Sequence, residues 1–448
     1  MRRTNPLTKV GLISLGCSKN LVDSEHMLAK LKDAGYEITE EMENADIGIV
    51  NTCGFIEAAK TEAIETILDV AKYKEEGSLK GLVVTGCLAQ RYRDEIQSEL
   101  PEVDAICGTG SYTNIVDAVR DVLAGKKAVY MNDMASAALE GSREQLTPSY
   151  TAFLKIAEGC SNTCAYCIIP KLRGKYRSRQ LDDVLAEAKQ LSDAGVKELI
   201  VIAQDITKYG MDLEGRTRLL PELLRHLCKL NFTWIRLHYL YPDQITDELI
   251  DVIANEEKIV KYLDIPLQHA SKKILRSMHR PGDRESLTAL IKKMRDKIDG
   301  LVIRTSIIVG LPDETEEDFT ELCEFLQEVQ IERAGVFEYS PEEGTEAAEM
   351  PNQIDAETKA NRRLIVEELQ SGVIDEYNLS RMHETMQVLC EGFDDTMGLY
   401  YGRTYADSVD VDGRVYFASE NELNAGDFVL VRIENSLGAD LEGVEIGG

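Results

Sequence analysis

The sequence predicts an α/β protein in three parts: an N-terminal doubly wound parallel sheet, a central open partial (β/α)6 barrel, and a small C-terminal all-β barrel. Three observations carry this. Apolar runs alternate with helical stretches from Lys9 to about Gly125, further strand–helix repeats run from Phe153 to Tyr339, and from about Glu384 the pattern changes to short strands.

In the first part, Val10–Leu15 reads as a buried strand and is followed by a helix from Ser24 to Ala34, with Met27, Leu28 and Leu31 at helical spacing. Asp46–Val50 and Leu82–Val84 begin two further strand–helix units. A cysteine follows each strand: Cys17, Cys53 and Cys87. Ligand crevices in open α/β sheets lie beyond the carboxyl ends of the strands, so these three thiols are expected to meet at one edge as a metal site. Gly16, Gly54 and Gly86 beside them are expected to let the backbone approach a bulky ligand. Cys107, Cys228, Cys323 and Cys390 lie in apolar contexts and read as packing residues.

Ala135–Tyr150, rich in Ala, Ser, Glu and Gly, reads as a linker. The boundaries expected are 1–134, 135–150, 151–380 and 384–448. The central part shows strand runs at Phe153–Ala157, Glu198–Ala203, Trp234–Tyr239, Tyr262–Pro266, Val302–Val309 and Gly335–Tyr339. Six are too few to close an eight-stranded barrel, and barrel chemistry belongs at the carboxyl ends of strands. Thr315–Asp318 fits a helix capping box. Lys171, Arg173, Lys175, Arg177 and Arg179 alternate, so in an extended segment all five would face one side. In the C-terminal part, Gln387–Leu389, Tyr400–Ala406, Val415–Ala418 and Phe428–Ile433 read as strands joined by Gly and Asp turns.

Charge narrows the function. The 448 residues carry a net charge of −29, from 50 Lys and Arg against 79 Asp and Glu. Phosphate binding is driven by clustered cations, so this balance argues against a broad nucleic-acid footprint. Residues 384–448 hold fourteen acidic and three basic side chains, a net −11, where an even share of the total would be about −4. Such a barrel suits a basic protein partner, and direct nucleic-acid binding is not expected. No apolar run approaches a membrane span and no signal peptide is expected. Ten cysteines in such a chain point to a reducing compartment, the cytoplasm, and to thiolates used as ligands.

The organising stretch is Glu158-Gly159-Cys160-Ser161-Asn162-Thr163-Cys164-Ala165-Tyr166-Cys167, directly after an apolar strand. Three thiolates in one short loop can hold three corners of a four-iron–four-sulfur cluster and leave one iron open for substrate chemistry. A zinc knuckle completed by His238 or His269 is the alternative. Both the spacing and the aromatic residue before the last cysteine resemble the signature of radical S-adenosylmethionine enzymes. The resemblance implies that the open iron binds the amino and carboxylate groups of S-adenosylmethionine. It also implies that one electron cleaves the sulfonium to a 5′-deoxyadenosyl radical. Tyr166, Gln204, Arg304 and Gly310 are the implied S-adenosylmethionine contacts; Asp313 stands where the superfamily often has Gly.

With a three-cysteine α/β domain in front, the chain resembles the methylthiotransferases. That family implies a second four-iron–four-sulfur cluster on Cys17, Cys53 and Cys87 and a TRAM domain at the C-terminus. Leu15–Asn20, Asn51–Ile56, Gln204–Gly210, Leu237–Pro242 and Gln268–Ser271 resemble the branch that methylthiolates the β-carbon of an aspartate in ribosomal protein S-twelve. Ile206 departs from the Thr expected there. The partners implied are that protein or the small ribosomal subunit, a low-potential flavodoxin- or ferredoxin-type electron donor, and a sulfur donor. The transfer-RNA adenosine branch is the enzymatic alternative, and a non-catalytic metal protein that docks on the ribosome is the other. No residue is assigned as a general acid or base.

Overall fold

The computed structural model describes residues 8–215 and 217–447. Six parallel strands form the N-terminal sheet: β1 (Lys9–Ser14), β2 (Glu37–Thr39), β3 (Ile47–Thr52), β4 (Gly81–Gly86), β5 (Ala105–Cys107) and β6 (Ala128–Tyr130), in the order 2-1-3-4-5-6. The sequence reading found β1, β3 and β4. The other three are each three residues long, too short to carry a period. Core clusters cover both faces of the sheet, as helices on either side require. The chain reverses direction across the sheet between β1 and β3, so the switch point lies between the loops carrying Cys17 and Cys53.

The segment joining this sheet to the barrel is no loose linker. Arg143 bonds Glu25, Glu187 and the Phe153 carbonyl, while Glu140 bonds Arg179 and Glu144 bonds Lys32. It is a strap fastened to both domains.

The central sheet is the expected open one. Strands β7 (Thr151–Lys155), β10 (Glu198–Ile202), β11 (Trp234–Leu237), β12 (Ile259–Asp264), β13 (Val302–Val309) and β14 (Arg333–Glu338) pair in parallel in chain order, and β8 (Ala157–Glu158) and β9 (Arg177–Ser178) form a small antiparallel pair. Leu199, Val201, Ile235, Leu237, Leu263 and Ile303 enter the main core on the helix side. Their alternates on the concave face include Arg236, His238, Tyr262 and Asp264, all buried. A six-stranded arc cannot fill its own interior, so other parts of the chain do. Val22, from the helix Ser18–Asp33, and Val409 of the C-terminal domain pack on Ile200 and Ile202.

The C-terminal domain is a closed barrel of five strands, β15 (Thr385–Asp394), β16 (Leu399–Arg403), β17 (Val415–Ala418), β18 (Phe428–Leu437) and β19 (Asp440–Glu445). β19 was not read from the sequence: Asp-Leu-Glu-Gly-Val-Glu lacks the apolar density of its partners. The loop between β16 and β17 enters the central arc. Arg403 reaches Glu198, which also pairs with Arg236; Asp407 pairs with Arg333; Ser408 bonds His238; and Asp412 accepts from Tyr262. Fully buried, Glu198 is held down to about 2 against the burial that would raise it, by the Arg403 and Arg236 guanidiniums.

Candidate active site between two cysteine loops

Cys17 precedes the helix Ser18–Asp33, Cys53 follows β3, and Cys87 opens the helix Cys87–Arg91 directly after β4. β1, β3 and β4 are neighbours in the sheet, so the three thiols stand side by side at its carboxyl edge, as the sequence predicts. The glycines serve a different purpose from the one expected. A Cβ on Gly16 would lie 2.6 Å from the Cys53 Cβ, and one on Gly54 2.8 Å from the Leu88 backbone. They let the cysteine loops pack on one another rather than admit a ligand. Asn20 ties these loops together, donating to the Leu15 and Thr52 carbonyls at 2.9 Å each.

The basic row is not a strand. Lys171 and Arg173 belong to the helix Ile169–Arg173, Gly174 breaks it at φ +75°, and strand geometry returns at Arg177. A proline at the helix start and a glycine after its end make the helix, and outweigh the alternation of charge. The five cations therefore diverge. Arg179 and Arg177 hold the strap, Lys171 caps the Gly344 carbonyl, and Lys175 is exposed.

Arg173 turns inward, and it connects the two cysteine regions. It donates to Asn20 beside the first triad, to Asp23 at 3.0 Å and to Glu158 at 2.9 Å, while Lys155 pairs with the same two carboxylates. All four charged groups are buried and sum to zero. The paired cations hold the Glu158 carboxyl far below the usual carboxylate range despite its burial. Two residues on is Cys160. Sequence reading missed this quartet because Asp23 and Lys155 look like ordinary surface charges.

At the second loop, Cys160, Cys164 and Cys167 are fastened from the barrel. Asn162 donates to Asp205 and accepts from Lys208, the Cys160 sulfur accepts from the Asn162 N–H at 3.4 Å, and the Tyr241 hydroxyl lies 3.3 Å from the Cys164 sulfur. Arg280 bonds the Pro266 carbonyl and lies 3.8 Å from that sulfur and 3.4 Å from the Tyr166 hydroxyl. Nothing in the sequence flagged Arg280, which lies 113 or more residues beyond the loop it serves. Burial raises the Cys87 and Cys167 thiols to about 12. A bare thiolate is costly in such a place, whereas a metal stabilises one directly. His238 bonds Ser408 and the His269 Nδ1 accepts from the Ser271 N–H, and among the described residues neither completes a zinc site with this triad. Among the described residues, no three His, Cys, Asp or Glu side chains converge closely enough for a single metal ion.

A cavity of about 660 Å³ lies between the loops. Its walls include Phe55 and Ile56, which follow Cys53, Tyr166, which precedes Cys167, and Gln268, Ser306 and Ile308 from the concave barrel face. Gln268 holds φ +74° and Tyr239 holds φ +66° at the ends of β12 and β11, strained positions of the kind that gather at functional sites. Of the four sequence-derived S-adenosylmethionine contacts, Tyr166 lines this cavity. Gln204 bonds Glu158 at 3.2 Å and leaves its own buried carbonyl oxygen without a partner. Arg304 is paired with Asp264 at 3.0 Å and faces a separate cavity against the C-terminal domain. The Gly310 N–H is taken by Glu314, and its φ of +73° and the Lys359 side chain beside it account for the glycine. Asp313 adopts φ +64° and is held by Asn352, so the turn accepts a non-glycine residue.

One more charge lies just beyond the carboxyl end of β11. Lys19, 5% exposed, places its ammonium 3.0 Å from the centre of the Tyr239 ring. A ring face returns about 2 kcal/mol to a desolvated cation, less than the several kcal/mol that burying an unpaired charge costs.

The geometry agrees with what the chain resembles. Residues 9–108 match an uncharacterized protein family, UPF0004, residues 154–326 match the radical SAM superfamily, and residues 384–446 match the TRAM domain. The ribosomal protein uS12 methylthiotransferase RimO of Clostridioides difficile strain 630 is 49% identical over 440 residues, covering 98% of each chain. That of Thermoanaerobacter sp. strain X514 is 48% identical, covering 98% of this chain and all of its own. Among solved structures, the radical S-adenosylmethionine methyltransferase TsrM of Kitasatospora setae shares the fold with a TM-score of 0.54 at 13% identity, over 76% of this chain and 77% of its own. The cobalamin-dependent S-adenosylmethionine radical enzyme OxsB does so at 0.50 and 13%, over 82% and 56%. Full-length identity near one half, with three domain families in the same order, leaves one assignment: the chain belongs to the ribosomal protein uS12 methylthiotransferase family of radical S-adenosylmethionine enzymes.

Proposed function

We propose that this protein transfers a methylthio group to the β-carbon of an aspartate in ribosomal protein uS12. The carrying observation is that one cavity is walled by residues adjoining both cysteine loops, Phe55 and Ile56 on one side and Tyr166 on the other. Cys160, Cys164 and Cys167 hold the four-iron–four-sulfur cluster that engages S-adenosylmethionine, and Cys17, Cys53 and Cys87 hold a second. The donor sets fit: each is three thiols with a guanidinium alongside, Arg173 for the first loop and Arg280 for the second. When bound, the clusters and S-adenosylmethionine would supply the one-electron chemistry and the methyl group. An unactivated C–H bond demands this, since no side-chain base of ordinary pKa removes such a proton.

The chain itself positions and encloses. The Asp23–Lys155–Glu158–Arg173 quartet fixes one cysteine loop against the other. Tyr166, the open acceptor of Gln204, Arg304 and Gly310 are the proposed S-adenosylmethionine contacts. The functional divisions proposed are 1–134, 151–380 and 384–448, joined by the strap 135–150. The acidic C-terminal barrel is the docking site for basic uS12, free or in the small subunit. A low-potential flavodoxin or ferredoxin supplies the electron, a separate donor the sulfur, and the enzyme works in the cytoplasm.

Iron content tests the two-site assignment. Protein purified and reconstituted without oxygen should hold about eight irons per chain, and the Cys17→Ala/Cys53→Ala/Cys87→Ala variant about four. The variant should still cleave S-adenosylmethionine. Four irons in the wild type, or none in the variant, would contradict two independent sites.

A further inference from the structure

We propose that Lys19 forms a carboxylate subsite just beyond the carboxyl end of β11, filled by the side chain of the substrate aspartate. This rests on the uS12 reading and specifies how the site recognises its target. Lys19 stands in the first turn of the helix that begins after Cys17, two residues from that thiol, and is 5% exposed. Its ammonium meets the face of Tyr239, which the backbone presents at φ +66° from the end of β11. A ring face satisfies the cation from one side and accepts none of its three N–H groups in the directional sense.

The other cations beside the cysteine loops and the concave face are paired. Arg173 and Lys155 share Asp23 and Glu158, Arg304 has Asp264, and Lys208 has Asn162. Arg280 is spent on the Pro266 carbonyl and the Cys164 region. Among the described residues, Lys19 meets no carboxylate and no carbonyl; its partner is the Tyr239 ring. A buried ammonium with open donors calls for an anion with planar acceptors, and a carboxylate matches it in charge and geometry.

The chemistry of the substrate makes the match specific. In an aspartate the carbon to be modified is bonded directly to the carboxylate carbon. A clamp on the carboxylate therefore fixes the reacting C–H within two bonds of the anchor, beside the Cys17 loop. Mis-positioning of a reacting atom by about 1 Å is enough to lose most of the rate. Lys19 would thus both select an acidic side chain and aim it. The methionyl group of S-adenosylmethionine also carries a carboxylate, so the test separates the two sources.

The probes are uS12 with its target aspartate intact and the same protein with asparagine there. Their affinities for reconstituted holoenzyme would be read by fluorescence anisotropy, with S-adenosylmethionine binding by equilibrium dialysis. For the wild type, asparagine should weaken uS12 binding about 10- to 100-fold. Lys19→Met should weaken the aspartate form by the same factor, bind both forms equally and leave S-adenosylmethionine affinity unchanged; Lys19→Arg should restore part of the preference. Iron content and melting temperature matched to wild type certify both variants as folded. A preference for aspartate that survives in Lys19→Met overturns the assignment alone. If S-adenosylmethionine binding falls instead, the methionyl carboxylate is the occupant and the aspartate assignment is lost. uS12 that is neither bound nor modified by the wild type overturns the uS12 reading itself.

Discussion

His26 shows what burial does to a single group here. Its ring is 2% exposed, bonds the Ser142 carbonyl through Nδ1 and leaves Nε2 without a partner. Burial, reinforced by the nearby Lys155 charge, holds its pKa down to about 4 from the ordinary 6.5. Above pH 6.5 the imidazole is neutral whether the chain is folded or not, and contributes nothing to pH dependence. As pH falls from 6.5 towards 4 the unfolded chain takes up a proton that the folded one refuses, so stability is lost, by about 3 kcal/mol in all. His238, also driven below its ordinary value by burial and by Arg236, adds a slope of the same sign. Urea denaturation between pH 7.5 and 4.5 should therefore show a shallower loss for His26→Gln than for the wild type; parallel curves would contradict the assignment. None of this was legible in the sequence, where His26 sits among helix residues with nothing to mark it as buried.

Among elements, the loop between β16 and β17 deserves the main prediction. With Arg403 at the end of β16, it carries Thr404, Asp407 and Ser408, all buried, into an arc of six strands that cannot close. Glu198 alone answers two guanidiniums, at 2.9 Å to Arg236 and 2.7 Å to Arg403. Glu198→Ala leaves Arg236 buried without a carboxylate and Arg403 with Glu391 alone, and should lower unfolding free energy by about 3–5 kcal/mol; a loss under 1 kcal/mol would show that the loop is not anchored there. The strands on either side of this contact were readable, because Glu198–Ala203 and Trp234–Tyr239 announce themselves as apolar runs. The contact was not, since it joins positions 205 residues apart. The same division holds at the site. Three cysteines could be placed by the strands they follow and three by their spacing in one loop, and the structure makes the strands of the first three neighbours in one sheet. The alternation of Lys171 to Arg179 misled, because a Pro170 start and a Gly174 stop outweigh a charge period of two. Lys19 and Arg280 could not be identified as site residues, and Arg173 was visible only as one of a row of five cations, since each acquires its meaning from a partner in another domain or far along the chain.

The N-terminal and central parts of the chain wall one cavity, and the C-terminal barrel reaches into the central arc beside it. The N-terminal helix and the C-terminal loop both line the concave face of the barrel, and Arg91 reaches across to Glu342 at 2.8 Å beside the cavity wall. Charge sorts the partner. Of the three basic residues in the C-terminal barrel, Arg403 is buried on Glu198 and Arg432 is paired with Glu434 at 2.7 Å. That surface has few cations with which to displace counterions from a nucleic acid, and many anions for a basic protein. The direct test is a mass spectrum after anaerobic turnover, with S-adenosylmethionine, reductant and sulfide, and with uS12 and unmodified transfer RNA offered together. The account predicts one methylthio increment on an aspartate-containing uS12 peptide, absent with Cys160→Ala. The increment on a transfer-RNA adenosine, with uS12 unchanged, would contradict it.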